Sequence, residues 1–386
     1  MSFAFLQDFV LILAAAVLII YISNRVKLPP VVGFLVTGIL IGPGGFSLVH
    51  DSEAIDLLAE IGVVMLLFLI GLEFTLDRLK RIQRYFWIGG GIQVVATIAL
   101  AALLFGLAGV AAKEAFFFGF LVSLSSTAVV LKSLADRGET DSPQGRISLG
   151  ILIFQDLAIV PMIALVPVLA NVQSGSIASV LGRFLLSAAA IVAVFFVGRT
   201  VLPRLLHAIV ATRIREIFLI TSVFLCLGTA LLTASLGLSL ALGAFLAGVI
   251  ISESEYSHQV VSDILPFKDV FNSLFFISIG MLLRTDVLWR SGLTVAELVL
   301  AILLVKVTVV FLTVRFLGYG GRIALITSLG LAQIGEFSFV LAGVGRTNGL
   351  LPEETFQIFL AASILTLLLT PLLIRVAPGV AVRGET

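Results

Sequence analysis

The sequence predicts an all-α integral membrane protein with about thirteen transmembrane helices. Of its 386 residues, 60% are hydrophobic and only 12% are charged, and the mean hydropathy is +1.19. A soluble domain typically has about 25% charged residues. The apolar segments also lack the period-2 alternation of membrane β-strands, so each is predicted to be a helix.

Apolar segments long enough to cross a bilayer, about 17 to 25 residues each, follow one another along the chain. We predict spans at 5–24, 31–45, 57–75, 86–110, 115–135, 147–170, 177–202, 215–235, 237–252, 264–283, 295–318, 322–345 and 353–375. This odd number of spans places the two termini on opposite sides of the membrane.

The orientation follows from the distribution of Lys and Arg among the short loops. One side contains most of them, including Arg78, Lys80, Arg81 and Arg84; the other side contains only Lys113, Arg183, Arg284, Arg290 and Arg346. We therefore expect a multi-pass protein of the cell (inner or plasma) membrane, with the N-terminus outside and the C-terminus in the cytoplasm.

Two groups of three spans, 86–170 and 295–375, begin on opposite sides of the membrane in this prediction. The second span of each group is interrupted by polar residues, SLSSTAVV at 123–130 and GLAQIGEFSFV at 330–340. Inverted repeats with interrupted helices at matching positions indicate the substrate site of a transporter. The sequence therefore predicts inverted repeats and a site at the two interruptions.

Charged residues are few inside the spans, and three of them, Asp156, Lys306 and Glu336, lie near span centres within these two groups. Such a residue costs about 2.5–3.5 kcal/mol on insertion scales, and it usually marks a functional site. For each of the three, a structural pairing inside the helix bundle is the alternative.

Asp156 lies in GILIFQDLAIVP, residues 150–161. Because Pro161 has no N–H, the carbonyl of Leu157 is predicted to lack its helical partner. Further oxygen ligands are expected from Gln155 and from the first interruption, at Ser125, Ser126 and Thr127. Oxygen ligands suit a hard cation, here K+ or Na+ at Asp156. One carboxylate binds one such cation or one proton, and this competition is the minimal chemistry of an antiporter.

Several motifs give the chain a family resemblance: LGILIFQDLAIVP, SLSSTAVVLKSL, EIGVVMLLFLIGLEF, SLFFISIGM and LAQIGEFSFVLA. They resemble the cation:proton antiporter-2 family, and most closely the Kef-type potassium/proton antiporters. The resemblance implies a sodium/proton-antiporter-like fold with two crossed discontinuous helices, and a homodimer that works by alternating access. It also implies that Asp156 binds the cation and the proton, with Gln155 beside it.

In electrogenic sodium/proton relatives, an acidic residue takes the place of Gln155 and pairs with a lysine that matches Lys306. Here glutamine stands at that position, so Lys306 needs another partner. Glu336 or a backbone carbonyl is the expected substitute.

The resemblance also implies a division into domains. We predict a dimerisation domain in two parts, 1–85 with spans 1–3 and 213–290 with spans 8–10; a core domain in two parts, 86–175 with spans 4–6 and 291–376 with spans 11–13; a linker span at 176–212; and a cytoplasmic tail at 377–386.

The segment SESEYSHQVVSDILPFKD, residues 252–269, resembles the cytoplasmic loop through which glutathione-gated Kef proteins contact a C-terminal nucleotide-binding domain. Glu255, His258 and Asp263 make it a possible regulatory loop. The acidic cluster of those proteins is reduced here to Asp263, and no GxGxxG unit occurs in the 386 residues. We therefore expect any such regulatory domain to act as a partner, and we do not predict glutathione gating.

The alternatives are a sodium/proton antiporter of the same fold and a gated cation channel, although no filter-like repeat such as TVGYG is present. An intramembrane protease would need two facing aspartates or a Ser–His pair. A net charge of +1 argues against a nucleic-acid partner. We expect no enzyme activity and no cofactor, with monovalent cations, protons and membrane lipids as the ligands.

Overall fold

The computed structural model describes residues 3–25, 28–49, 52–73, 82–170, 177–236 and 239–383, and all regular structure within these ranges is helical. The basic residues Arg78, Lys80 and Arg81, the predicted domain boundary at 175–176 and the last residues of the predicted tail lie outside the described ranges.

The described ranges contain sixteen α-helices, numbered here in chain order. They are α1 (Phe3–Arg25), α2 (Pro30–Ile41), α3 (Ser52–Glu73), α4 (Gly91–Leu107, preceded by a π-helical segment Arg84–Gly90), α5 (Ala112–Ser123), α6 (Thr127–Asp136), α7 (Pro143–Ala170), α8 (Ile177–Val210), α9 (Arg215–Ser235), α10 (Leu240–Ser252), α11 (Ser257–Leu282), α12 (Asp286–Arg290), α13 (Gly292–Phe316), α14 (Gly321–Gly330), α15 (Glu336–Thr347) and α16 (Glu353–Arg383).

The helices follow the predicted spans closely. Within the described residues, eight helical segments are long and apolar enough to cross a membrane, or nine if the bent pair Ser257–Phe267 and Asp269–Leu282 is one span. Three apolar helical segments are shorter: Pro30–Ile41, Glu60–Leu72 and Leu240–Ser252. The number of crossings therefore stays a prediction. Helix α16 continues to Arg383, so the helix includes most of the predicted tail.

The chain divides into two compact units. The first comprises Met1–Asp51, Leu79–Met162 and Ile279–Thr386, and the second comprises Ser52–Arg78 and Ile163–Ser278. These two units are defined by packing within one chain. The predicted dimerisation and core domains are defined by dimer assembly and by movement during transport, so they stay predictions.

In the second unit, α3 and α10 pack closely through small residues. A Cβ atom at Gly71 would collide with the carbonyl oxygen of Phe245, and one at Gly248 would collide with that of Phe68. Glycine allows two helix backbones to approach where a larger residue would hold them apart. An apolar core formed by α3, α8, α9, α10 and α11 surrounds this contact.

The first unit contains both predicted interruptions and all three charged residues that the sequence singled out inside spans. One of its apolar cores joins α6, α7, α13 and α14, and includes Val130, Ile151, Val310 and Ala324. Helix α6 follows the first break, and helix α14 precedes the second. This core therefore packs the broken helices against the helices that carry Asp156 and Lys306.

Candidate functional site

The first predicted interruption is a real break, because α5 ends at Ser123 and α6 begins at Thr127. Ser126 lies before α6 with an extended backbone, and its Oγ atom accepts a hydrogen bond from the N–H of Val129 at 3.3 Å. Serine side chains bond to nearby backbone groups in competition with helical hydrogen bonds. A run of serines inside an apolar span therefore favours a break capped by the serines themselves.

The break between α14 and α15 lies against the break between α5 and α6. The N–H of Gly335 donates to the carbonyl oxygen of Leu124 at 3.1 Å, and the Ser125 hydroxyl donates to the carbonyl of Leu331 at 3.0 Å. A Cβ atom on residue 335 would lie 2.5 Å from the carbonyl oxygen of Ser125. Two discontinuous helices thus cross at their breaks, and glycine is the residue that permits this approach.

Asp156 lies at this crossing, in the middle of the continuous helix α7. The hydroxyl of Thr127 is 3.1 Å from each of the two carboxylate oxygens of Asp156. Thr127 is the first residue of α6, so the carboxylate is placed at the N-terminal end of a helix, where the helix dipole favours negative charge. The carboxylate is half-buried.

The side chain of Gln155 also contacts the first break, where its two hydrogen bonds have a structural role. Its Oε1 atom accepts the backbone N–H of Ser125 at 2.7 Å, and its Nε2 atom donates to Oε1 of Gln93 at 2.7 Å. The side chain is 1% exposed. A buried backbone N–H without a partner is costly, and this amide supplies the partner.

Lys306 is fully buried on α13, and its Nζ atom donates to the carbonyl oxygen of Leu124 at 2.6 Å. Of the two partners expected from the sequence, the backbone carbonyl is therefore present. The same oxygen also accepts the N–H of Gly335. The amino group of Lys306 is thus placed at the crossing of the two breaks.

Glu336 is buried at the first position of α15, directly after the second break. An acidic side chain in the first turn of a helix is stabilised by the helix dipole. The pairing of Glu336 with Lys306 stays a prediction.

The other two predicted ligands, Ser125 and Ser126, have polar atoms engaged with backbone groups. Ser125 donates to Leu331 and Ser126 accepts from Val129. Both side chains are buried, with exposures of 1% and 0%. Within the first break, Thr127 is therefore the hydroxyl residue that touches the Asp156 carboxylate, and the two serines stabilise the break.

Gln93 on α4 is a residue of this site that the sequence analysis missed. It is fully buried, its Oε1 accepts from Gln155, and its Nε2 donates to the carbonyl of Ser123 and to Oγ1 of Thr97, each at 3.1 Å. Asp156, Lys306 and Glu336 are conspicuous in the sequence because their side chains are ionisable, whereas Gln93 is a neutral amide in the apolar segment GIQVVATIAL.

The possible regulatory residues lie in the second unit and do not form one cluster. Asp263 pairs with Arg215 at 3.3 Å. Glu255 is 3.8 Å from Nδ1 of His207, whereas His258 is exposed. The two contacts join the segment that ends α10 and begins α11 to helices α8 and α9.

Among the described residues, no group of three or more His, Cys, Asp or Glu side chains is placed to hold a metal ion. The polar groups at the crossing include the carboxylates of Asp156 and Glu336, the Thr127 hydroxyl, backbone carbonyls and the amino group of Lys306.

Crossed discontinuous helices with a carboxylate at the crossing are typical of secondary transporters. The family described as the transmembrane sodium/hydrogen exchanger matches residues 12–376. The chain belongs to this family. The predicted membership in a family of cation:proton exchangers is therefore confirmed.

Curated relatives confirm the resemblance to the Kef type. The glutathione-regulated potassium-efflux system protein KefC of Enterobacter sp. (strain 638) is 38% identical over 366 residues, which are 94% of this chain and 58% of that protein. The K(+) efflux antiporter 6 of Arabidopsis thaliana is 35% identical over 357 residues, 91% of this chain and 60% of that protein. The chain thus spans about three fifths of the length of these relatives.

The fold matches a solved structure. The sodium proton antiporter MjNhaP1 from Methanocaldococcus jannaschii at pH 8 superposes with a TM-score of 0.74, covering 98% of this chain and 99% of that one at 17% identity. A second structure of the same antiporter gives a TM-score of 0.67 at 16% identity. The predicted all-α membrane fold of the sodium/proton-antiporter type is confirmed.

Proposed function

We propose that this chain is the membrane part of a monovalent cation/proton antiporter that exchanges K+ for H+ by alternating access. One observation carries the proposal: the carboxylate of Asp156 lies at the crossing of the two helix breaks, within hydrogen-bond distance of Thr127. The Asp156 carboxylate can take up either a cation or a proton, and the dipole of α6 favours its ionised, cation-binding form.

We expect the two ions to compete because both would bind the same carboxylate, that of Asp156, which contacts Thr127. A proton on Asp156 removes the negative charge that a cation needs, and a bound cation favours the ionised form. We therefore propose that Asp156 and Thr127 contact the ion directly. Ser125, Ser126 and Gln155, which the sequence suggested as ligands, hold the break in shape.

K+ is the proposed cation because both named relatives are potassium-efflux proteins. Na+ remains the second candidate, since the family is described as the sodium/hydrogen exchanger. A gated channel is not favoured, because the described site contains a buried lysine and a single aspartate at a crossing of helices rather than a ring of carbonyls.

The assembly and surroundings are part of the same proposal. We propose a homodimer in a lipid bilayer, with the predicted core domain moving against the predicted dimerisation domain, the N-terminus outside and the C-terminus in the cytoplasm. A nucleotide-binding regulatory domain that contacts residues 252–269 is the proposed additional partner, and Glu255, His258 and Asp263 are the residues we assign to that contact.

The first test is the substitution Asp156→Asn in the full 386-residue chain, reconstituted in proteoliposomes. Asparagine keeps the size of the side chain and removes the charge for which both ions compete. We expect cation-dependent proton flux to fall to the level of liposomes without protein. The control is Asp136→Asn, because Asp136 is an exposed aspartate on α6 that pairs with Lys132 at 3.3 Å.

The same preparation identifies the cation. Wild-type flux is measured with K+, Na+ or choline as the exchanging cation, and at several pH values. The proposal expects saturable flux with K+, little with choline, and an apparent K+ affinity that weakens as the pH falls. Proton flux that persists in the folded Asp156→Asn variant contradicts the proposed site.

A further inference from the structure

The amide side chains of Gln93 and Gln155 form a buried chain of hydrogen bonds whose two ends are backbone groups of the first break. At one end, the N–H of Ser125 donates to Gln155 at 2.7 Å. At the other end, Gln93 donates to the carbonyl of Ser123 at 3.1 Å. The two glutamines join each other at 2.7 Å.

This chain has one possible direction. The backbone N–H of Ser125 only donates, so the Gln155 atom that faces it must be the carbonyl oxygen. The backbone carbonyl of Ser123 only accepts, so the Gln93 atom that faces it must be the NH2 group. The remaining atoms, Nε2 of Gln155 and Oε1 of Gln93, then meet as donor and acceptor, and a flipped amide at either residue would place two like groups together.

This chain of hydrogen bonds is also inaccessible to water, so water cannot replace a partner that is lost when an amide flips. Gln93 and Ser123 are 0% exposed, and Gln155 and Ser125 are 1% exposed. The second N–H of Gln93 is taken by Oγ1 of Thr97 at 3.1 Å, whose own hydroxyl donates to the backbone of residue 93 at 2.7 Å. A buried donor or acceptor that loses its partner costs more than the hydrogen bond itself contributed.

We infer that Gln93 is a positioning residue for the ion site: it holds the Gln155 amide in the one orientation that binds the Ser125 N–H, and so places Thr127 against Asp156. Gln93 itself is bonded to Gln155, Thr97 and Ser123 rather than to Asp156. The inference rests on the proposed exchange at Asp156. It also explains why a neutral amide stands at position 155, since a carboxylate there has no N–H to donate to Gln93.

A change in the Gln155 amide would reach Asp156 through the short segment between Ser125 and Thr127. Ser125 lies in the segment 124–126, which has no helical structure, and Thr127, two residues later, begins α6. If the Gln155 amide rotates, the Ser125 N–H loses its acceptor and the start of α6 is free to shift. The Thr127 hydroxyl, 3.1 Å from both Asp156 oxygens, then loses its position.

The experiment compares two substitutions of one residue in the full reconstituted chain. Gln93→Glu keeps the shape, but the ionised carboxyl group donates nothing; the protonated group regains one donor. Gln93→Met removes every hydrogen bond at any pH. The matched control is Gln357→Glu, because Gln357 is another buried glutamine bonded to backbone, accepting from the Arg284 N–H at 2.9 Å and donating to the Leu282 carbonyl at 3.0 Å.

The measurements are the apparent K+ affinity, the maximal exchange rate and the thermal melting curve of each variant, from pH 5 to pH 8. Three other titratable groups lie at the crossing, Asp156, Lys306 and Glu336, so each variant is compared with wild type at the same pH. We expect Gln93→Glu to weaken the apparent K+ affinity about tenfold at high pH, the effect of losing one buried hydrogen bond. The defect should shrink as the pH falls.

Gln93→Met should show a similar defect that does not change with pH, and Gln357→Glu should lower the melting temperature without changing K+ affinity. Unchanged K+ affinity in a folded Gln93→Glu variant overturns the inference while leaving the proposed exchange intact. Loss of folded protein in both Gln93 variants also overturns it, because that assigns Gln93 to stability alone. A wild-type protein without exchange overturns the proposed function itself.

Discussion

At the scale of single residues, the crossing combines buried polar side chains with backbone groups freed by the two breaks. Lys306 donates to the Leu124 carbonyl, and Gln155 accepts the Ser125 N–H. A helix break inside a membrane is tolerated only where its backbone groups find partners in the protein. The lysine and the glutamine therefore have a structural reason to be there, separate from transport.

The first prediction from this scale concerns Lys306. Lys306→Gln removes the buried hydrogen bond from Nζ to the Leu124 carbonyl, and a buried group that loses its partner costs about 1–3 kcal/mol. We expect the free energy of unfolding to fall by about this amount, measured as thermal stability in detergent, while the ratio of cations to protons exchanged stays unchanged. The control is Lys132→Gln, since Lys132 is exposed and forms only an (i, i+4) pair with Asp136, worth about 0.3–0.5 kcal/mol.

A double substitution tests the proposed pairing of Lys306 with Glu336. If the two side chains interact, Lys306→Gln and Glu336→Gln are non-additive in the free energy of unfolding. Strict additivity would show that Glu336 does not pair with Lys306. A change in the number of charges moved per cycle in Lys306→Gln contradicts the structural role predicted here.

At the scale of elements, the crossing depends on how closely two breaks can approach. Gly335 precedes α15 with φ −94° and ψ 168°, a backbone conformation that any residue adopts. The requirement for glycine is therefore steric and not conformational. The two breaks use different residues to pack together. Serines of the first break form hydrogen bonds with backbone groups, and Gly335 at the second break leaves room for the Ser125 carbonyl.

Gly335→Ala is the prediction at this scale. The added Cβ atom would lie 2.5 Å from the Ser125 carbonyl oxygen, so one break must move. We expect a loss of about 1–3 kcal/mol in the free energy of unfolding, the usual cost of overpacking, together with a fall in exchange. Both are measured on the purified, reconstituted variant.

Gly343→Ala, inside the helix α15 that Gly335 precedes, provides the matched comparison. A Cβ atom at Gly343 would meet nothing within 4 Å, and alanine in a helix is favoured over glycine by about 0.5–1 kcal/mol. This variant should be as stable as wild type or more so. Equal stability of the two alanine variants would show that the close approach at Gly335 does not matter.

At the scale of the whole molecule, the balance of charge moved in one cycle depends on which groups change protonation. Asp156 is the carboxylate bonded to Thr127, and the neighbouring position holds a neutral amide, Gln155, whose two ends are engaged with backbone and with Gln93. A site with one exchangeable charge accepts one cation or one proton. The cycle should then move no net charge.

The prediction that follows is that an imposed membrane potential does not drive exchange by the wild-type protein. Each uncompensated charge is worth about 2.3 kcal/mol at 100 mV, so a charge-moving cycle would shift the steady ion gradient by a readily measured amount. The measurement is the steady K+ gradient in proteoliposomes with and without an imposed potential, at fixed pH. A gradient that follows the potential would show that a second group, Lys306 or Glu336, also exchanges a proton.

The sequence alone determined that this protein belongs in a membrane and that it is helical, and it predicted where a candidate site would lie. Long apolar segments require helices in a bilayer, because every backbone group must be satisfied within its own segment. Asp156, Lys306 and Glu336 were recognisable because charge inside a span is costly. The polar runs at 123–130 and 330–340 indicated the breaks, because serine and glycine disfavour a continuous helix.

Only the tertiary structure decided which of these residues meet. Lys306 lies 182 positions from the carbonyl that it binds, and Gln93 lies 62 positions from Gln155, so no local pattern could pair them. A neutral amide in an apolar segment costs less than a charge and gives a weaker signal, which is why Gln93 was missed. The choice of Thr127 over Ser125 and Ser126 as the contact of Asp156 depends on which way each side chain leaves a non-helical backbone, and packing between distant helices sets that direction.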